Sequence, residues 1–399
     1  MSGRASLGVI GVLGAGAMGS GIAQVAATSG HKVILFDTNG DALLRAQAGI
    51  TKNLRREIEK GRLDEKQAQT IQERIVFLDG NRADPLKPLE SAHLIIEAVI
   101  ENLDIKQELF RRLEAVVSAD CLLATNTSSL SVASIASACK MPERVLGIHF
   151  FNPVPAMPLV EIIPGVATKP QTLDTATALM KSWGKLTVQA KDTPGFIVNR
   201  IARPFYGESI RLLEEGLADV ATIDWALKEI GGFRMGPFEL MDFIGNDINY
   251  TVTQTVYEAF FFDPRFKPSL TQKRLVEARF LGRKTGRGYY DYRPGAETPV
   301  PVKDTALGET IVRRVVAMLI NEAIDAVFMR IASVEDIEIA MTKGVNYPRG
   351  LLAWGEEIGL ANILETLAGL QAEYGEDRYR PNPLLRRMVR SNESFHFKK

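Results

Sequence analysis

An α/β domain on a largely parallel, doubly wound sheet, followed by two tandem all-helical domains, is the architecture this sequence predicts. Three observations carry it. Gly14, Gly16 and Gly19 form a G-x-G-x-x-G turn between an apolar run and a helix-like stretch. Short apolar runs then alternate with charged helical segments as far as "RVLGIHFF", the rhythm of a parallel sheet with helices on both faces. Beyond Lys191 the pattern is helical, and its first half recurs in its second at a constant offset of 114 residues. The ranges expected are 1–191 for the α/β domain, 192–293 for the first helical copy, 294–307 for a linker and 308–399 for a degenerate second copy.

The elements follow in order. Leu7 to Leu13 is an apolar run suited to a strand buried on both faces. In the turn "GAGAMG", Gly14 permits the sharp bend, Gly16 lets a pyrophosphate approach the backbone, and Gly19 lets the helix pack closely on the sheet. Ala15, Ala17 and Met18 complete the cradle, and the helix N-terminus offers free N–H groups and a positive dipole end. "KVILFD" is the next strand; it ends at Asp37, 18 residues past Gly19, where an acid takes the ribose hydroxyls of NAD. No arginine follows in "DTNG", so a 2′-phosphate would meet uncompensated repulsion, which favours NAD over NADP. A helix over about residues 41–60, strands at "RIVFL", "AHLIIEAV" and "CLLATNT", and helices at 103–117 and 132–138 continue the rhythm. This is a Rossmann-type pattern, whose ligands lie beyond the carboxyl ends of the strands. Those ends are Gly14, Asp37, Glu97, Asn126 and His149.

His149 closes "RVLGIHFF"; Pro153, Pro155 and Pro158 then forbid a helix, and "PLVEII" returns as a strand carrying Glu161 among apolar neighbours. A carboxylate there is costly without a partner, and the imidazole ending the previous strand is the nearest candidate. Glu161 on one ring nitrogen would fix the tautomer and make the other nitrogen a general base, as alcohol oxidation by NAD needs.

Composition excludes other classes. Of 399 residues, 48 are Lys or Arg and 48 Asp or Glu, so no global field favours nucleic acid or an anionic membrane. The uncharged stretch from Arg4 to His31 is too glycine-rich for a signal peptide or membrane span. Cys121 and Cys139 offer neither metal spacing nor a disulfide framework, which fits a reducing, cytoplasmic setting and no metal.

Six segments in register resemble the L-3-hydroxyacyl-CoA dehydrogenases: "GAGAMGSGIAQVAA", "EAVIENLDIKQELF", "TNTSSL", "GIHFFNPVPAMPLVEI", "DTPGFIVNRI" and "GRKTGRGYYDY". The resemblance implies NAD-dependent oxidation of a 3-hydroxyacyl-CoA, as in fatty-acid β-oxidation, butyrate or phenylacetate breakdown, on a chain with helical domains like the C-terminal one of 6-phosphogluconate dehydrogenase. It makes His149 the base, Glu161 its partner, and Ser128 and Asn199 the substrate contacts. It gives cofactor contacts to Glu101, Lys106, Asn126, Ser128, Asn152 and Lys284, and coenzyme A contacts to Ser128, Asn53 and Lys60. Asn53 departs from the family's serine at that place. A dehydrogenase of a free hydroxy or sugar acid, such as gulonate, shares the H-F-F-N-P segment and is the alternative; a non-catalytic NAD-binding protein is a further one.

The helical half starts with "PGFIVNRIARPFYGESIRLLEEG", where Pro194 suits a helix start, and continues through "TIDWALKEI" and "GPFELMDFIG". At the offset, Arg200 meets Arg314, Glu208 meets Glu322 and Ile244–Gly245 meets Ile358–Gly359, whereas Asn199 meets Arg313. The second copy is thus expected to be structural, replacing a dimer partner and leaving a monomer or weak homo-oligomer. The acyl chain stays open between short, longer and dicarboxylic. Arg203, Arg211 and Arg234 are the cations that could meet a distal carboxylate, although helix arginines are usually solvated.

Overall fold

A computed structural model describes residues 8–80 and 84–395, so Leu7 at the head of the expected first strand, and the outermost residues of the first and last expected ranges, lie outside it. The chain divides into two units, one reaching Thr193 and one starting at Pro194.

The first unit runs β1 (Val9–Leu13), α1 (Ala17–Thr28), β2 (Lys32–Asp37), α2 (Gly40–Glu59), α3 (Glu65–Glu73), β3 (Ile75–Asp79), β4 (Ala92–Glu97), α4 (Leu103–Glu114), β5 (Leu122–Thr125), α5 (Val132–Ala136), β6 (Val145–Phe150), β7 (Leu159–Pro164), α6 (Pro170–Ser182) and β8 (Leu186–Gln189). The strands form one sheet in the order β3-β2-β1-β4-β5-β6-β7-β8, parallel except where β7 turns back on β6. The chain reverses direction across the sheet between β1 and β4, the switch point where such sheets bind ligands. Neighbouring residues feed opposite cores: Val12, Ile96 and Ala124 pack on one face, and Leu13, Ile95 and Leu123 on the other. Burial on both faces is why these strands read as continuous apolar runs. Cys121 and Cys139 are free and buried, and burial pushes their thiols up to about 12 and about 11, away from reactivity.

The second unit holds α7 (Val198–Ile201), α8 (Arg203–Glu214), α9 (Val220–Trp225) with a π turn at Ala226–Ile230, α10 (Pro237–Ile244), α11 (Asn246–Ala259), α12 (Leu270–Glu277), α13 (Thr305–Phe328), α14 (Val334–Gly344), α15 (Leu351–Ile358), α16 (Leu360–Tyr374) and α17 (Pro383–Ser391). The 114-residue offset is visible in three dimensions. It carries Val220–Ile230 onto Val334–Gly344 and α10 onto α15. It also carries Gly245, at φ 106°, onto Gly359, at φ 92°. Asp224 accepts the N–H groups of Phe238 and Glu239 at the head of α10, as Glu338 accepts those of Leu352 and Ala353 at the head of α15.

The two helical stretches expected as separate domains share this one unit, because α13 packs along α8 and buried ion pairs join the copies. Two expectations shift. The helix does not open at Pro194: Gly195 and Phe196 take φ 74° and 48°, left-handed values that no helix accommodates, so α7 starts at Val198. Asp192 closes the first unit rather than opening the second. Its carboxylate accepts from Ser131 Oγ and from the N–H groups of Val132 and Ala133, capping α5. Among the described residues, no helix is long and apolar enough to cross a membrane.

Candidate active site

The glycine turn is shaped by backbone contacts. Gly14 stands at φ 99°, and a Cβ on it would lie 2.4 Å from Ala98 O; one on Gly19 would lie 1.8 Å from Gly14 O. A Cβ on Gly16 would meet nothing within 4 Å. The first and third glycines therefore permit the bend and the close helix packing, while the second faces open space. Gly16 is the N-cap of α1, with no capping side chain and no acid in the first turn, so the helix's first N–H groups and dipole are available to an anion. Asp37, ending β2, accepts from Ala15 N at 2.6 Å and from Asn39 N at 2.8 Å. Gly14, Gly16, Asp37, Thr38, Val99 and Ile100 line part of a cavity of about 880 Å³ over the switch point. Open backbone, an uncapped helix end and an acid without a following arginine fit an NAD whose ribose keeps its 2′-hydroxyl.

Next along the strand ends is a buried charge network. Glu97, fully buried at the end of β4, accepts from Lys106 Nζ at 2.6 Å, Thr125 Oγ1 at 2.7 Å and Val99 N at 2.7 Å. Lys106 also reaches Glu101 Oε2 at 3.1 Å. Glu101 in turn gathers the loop after β5: it accepts from the hydroxyls of Thr127 and Ser129 and from Ser128 N. Burial pushes the Glu101 carboxyl up, but the Lys106 ammonium and the two hydroxyls outweigh it and hold the group below its ordinary value. Ser128's own hydroxyl makes no hydrogen bond among the described residues, and the side chain is half-buried. Lys106 was expected at the cofactor, yet it is 1% exposed and held by the two acids. Its burial on the inner side of α4 makes it an anchor for Glu101 and, through it, the Ser128 loop.

His149 and Glu161 are cross-strand partners in the antiparallel β6–β7 pairing, so their side chains emerge on the same face. Nδ1 of His149 lies 2.6 Å from Glu161 Oε2, and both residues are buried. The carboxylate holds the proton on Nδ1 and leaves Nε2 as the basic nitrogen. The ring also packs against Phe151, with centroids 4.7 Å apart. Asn126 ties the adjoining strand ends together, its Oδ1 accepting from Phe150 N at 2.9 Å.

The loop from Phe151 to Pro158 carries Asn152 and contains three prolines that donate no hydrogen bond. Pro153 O accepts from Ala156 N and Met157 N within the loop, and three further carbonyls are served from outside. Lys185 Nζ donates to Val154 O at 2.6 Å and Met157 O at 2.7 Å, and Leu186 N donates to Pro158 O at 2.8 Å. Sequence reasoning passed over Lys185; the available signal was a lone lysine after Trp183-Gly184, just before a short strand. It also stopped short of giving Glu97 a role, although a single acid ending "LIIE" was visible.

The remaining expected residues lie on other elements of the two units. Asn53 lies on α2 and donates to Gln24 Oε1 at 3.3 Å, while Lys60 caps the end of α2 and pairs with Glu57 at 3.0 Å. Asn199 lies on α7 and Lys284 pairs with Asp247 at 2.6 Å, both in the second unit.

A switch-point dinucleotide cradle and a carboxylate-backed imidazole at a strand end on the same sheet define an NAD-dependent oxidoreductase. Residues 9–193 match the model of the 3-hydroxyacyl-CoA dehydrogenase NAD-binding domain, and residues 195–292 and 311–395 each match that family's C-terminal domain. The chain belongs to the 3-hydroxyacyl-CoA dehydrogenase family, and its reaction is the NAD-dependent oxidation of a 3-hydroxyacyl-CoA. It is 38% identical to a 3-hydroxyadipyl-CoA dehydrogenase of Escherichia coli (strain K12), over 94% of this chain and 96% of that one. It is 42% identical to a 3-hydroxybutyryl-CoA dehydrogenase of Bradyrhizobium diazoefficiens, over 74% of this chain and 98% of the relative. The crystal structure of an Escherichia coli 3-hydroxybutyryl-CoA dehydrogenase superposes with a TM-score of 0.90 at 37% identity, covering 97% of this chain and 99% of that one.

Proposed function

We propose that the enzyme converts an (S)-3-hydroxyacyl-CoA reversibly to the 3-oxoacyl-CoA with His149 as general base. The observation that carries this is the buried Nδ1–carboxylate bond to Glu161 at the strand end. NAD, held at the glycine turn and Asp37, would supply the hydride acceptor for C3–H, while Nε2 of His149 takes the proton of the C3 hydroxyl as it becomes a carbonyl. Glu161 then faces an imidazolium, whose charge the buried carboxylate offsets. Ser128, with its uncommitted hydroxyl, holds the oxygen that becomes a carbonyl. Glu101, Asn126 and Asn152 bind or shape the site for the cofactor, and Lys106 supports Glu101. For Asn199 and Lys284 the substrate and cofactor roles rest on the sequence resemblance alone, as do the coenzyme A roles of Asn53 and Lys60.

The second helical copy substitutes for a partner subunit in this reading, giving a monomer or weak homo-oligomer, and the protein works in the cytoplasm. Reciprocal ion pairs between the copies support the substitution, because a two-fold contact repeats each interaction in both directions.

Steady-state kinetics with NAD test the reaction. Turnover of 3-hydroxybutyryl-CoA, and its loss in His149→Gln, is the expected result. Turnover of free gulonate with none of the thioester would overturn it.

A further inference from the structure

The last helix of the second unit gathers cations that no acid answers. In α17, Leu385 and Met388 are buried, which turns Arg386, Arg387 and Arg390 outward. With Arg380, Phe328 and two prolines they line a groove of about 460 Å³ whose wall contains no carboxylate. None of the four arginines joins a salt bridge among the described residues. Elsewhere in the same unit, exposed arginines do find acids: Arg293 pairs with Asp291, and Arg349 with Glu357. Asp263 feels the charge of Arg380 but is already held by Arg265 at 2.9 Å.

This clustering has a cost. Arg386 and Arg390 stand one turn apart on one helix face, where like charges repel. Arg390 gains from the dipole at the helix's C-terminal end, but Arg386, in the first half of α17, and Arg380, ahead of it, do not. The backbone that presents them is fixed. Arg380 O accepts from Asn321 Nδ2 at 3.1 Å, Asn382 N donates to Asn321 Oδ1 at 2.9 Å, and Asn382 Oδ1 caps α17 by accepting from Leu384 N at 2.7 Å.

The duplication shows that the charge was gained in one copy only. Over this stretch the copies correspond at 113 residues, because the turn Pro264–Phe266 falls on Asp377–Tyr379. That lays "KRLVE" of α12 over "RRMVR" of α17, and Lys267 over Arg380. In the first copy Glu277 answers Lys273 at 3.5 Å; in the second, Arg390 stands in its place. At the offset of 114, Phe328 replaces Glu214, which accepts from the hydroxyls of Ser269 and Thr271 at the head of α12. Both acids are gone, and both lysines have become arginines, whose planar forks hold phosphate bidentately where lysine offers a point charge. The ion pairs that join the copies use none of these positions.

We propose that this groove is an anion site for a nucleotide carrying at least two phosphoryl groups. Four guanidinium forks suffice to hold two phosphoryl groups bidentately, and the volume is that of a small-molecule pocket. Phe328, 38% exposed with the Arg387 guanidinium 5.3 Å from its ring centre, supplies an apolar wall for the base. Free nucleoside diphosphates and the 3′-phospho-ADP end of coenzyme A share this chemistry.

Titration calorimetry of the full-length protein tests it, with NAD saturating so that the glycine turn is filled. The probes are ADP, adenosine 3′,5′-bisphosphate, coenzyme A, inorganic pyrophosphate and a short RNA oligonucleotide. At least one of the three nucleotides should bind about tenfold or more weakly to Arg386→Gln/Arg390→Gln than to wild type, the scale of one lost charged hydrogen bond. Lys273→Gln/Arg274→Gln, the corresponding change in α12, should leave that affinity within about twofold of wild type. Phe328→Leu should weaken the nucleotide more than pyrophosphate. Tighter groove-dependent binding of the 3′-phosphate compounds than of ADP assigns the site to coenzyme A, and the reverse assigns it to a free nucleotide. Equal affinities in wild type and the α17 variant for all three nucleotides, pyrophosphate binding as tightly as any nucleotide, or groove-dependent binding of the RNA alone would overturn the proposal.

Discussion

His149 Nδ1 and Glu161 Oε2 are 2.6 Å apart across directly paired positions of two antiparallel strands, so backbone register aims the imidazole proposed as the base. Replacing Glu161 by Gln keeps the shape but removes the charge that orients and stabilises the ring. The expected result is a fall in kcat of about 10²-fold or more, with KM for the thioester changed far less. A kcat within about twofold of wild type would mean that the pair is structural only.

The glycine turn predicts a split between stability and binding. Gly19→Ala drives a Cβ to 1.8 Å from Gly14 O and should lower Tm, because the helix cannot stay on the strand. Gly16→Ala meets nothing within the protein and should fold normally while weakening NAD. Thermal unfolding and nucleotide titration read the two effects separately; a Gly16→Ala enzyme that binds NAD as tightly as wild type contradicts the assignment of the cradle.

Lys185 should connect loop order to pH. Burial pushes its ammonium from an ordinary 10.5 down to about 8. Between those values the unfolded chain binds the proton more readily than the folded one, so this group's contribution to stability rises with pH from about 8 to 10.5 and is lost as pH falls through that window. Lys185→Met removes the slope, and it also leaves the carbonyls of Val154 and Met157 without their donor. The measurable outcomes are a flatter Tm-against-pH curve over that range and a higher KM for NAD, since Asn152 sits in the same loop. Parallel curves for the variant and wild type would refute the coupling.

Arg200 donates to Glu322 at 2.7 Å, and its counterpart Arg314 donates to Glu208 at 2.5 Å, all four buried. Arg314 also holds Glu215 at 2.8 Å, so Glu208→Ala removes one charged hydrogen bond without stranding the guanidinium and should cost about 1.5–3 kcal/mol in urea unfolding. Ending the chain after Asp304 removes α13 and uncovers the apolar face of α8. That truncation should aggregate or dimerise in sedimentation; a well-behaved monomer would speak against the second copy acting as a substitute subunit.

Much of the first unit was legible because its strands are buried on both faces and bounded by glycine, proline and polar ends. The strands β1 to β7 sit where the apolar runs put them. Elements without such a signature were passed over: α3, α6, the half-exposed β8, and α11 in the second unit. The opening of α7 was misjudged because Phe196, beside a glycine that takes a positive φ readily, stands at φ 48°, which a phenylalanine's local preference does not announce.

What the sequence determined by itself is local and periodic: the glycine turn with its acid, the alternating strands and helices, the imidazole and carboxylate at strand ends, and the 114-residue repeat. These follow from backbone sterics and burial, which act between residues near in the chain. The tertiary structure alone decided which charges are paired. It turned Lys106 inward to Glu97, gave the proline loop to Lys185, matched Arg314 with Glu208, and left Arg203 buried without an acid among the described residues. Ion pairing and desolvation depend on distances set by the assembled fold, and no spacing along the chain encodes them.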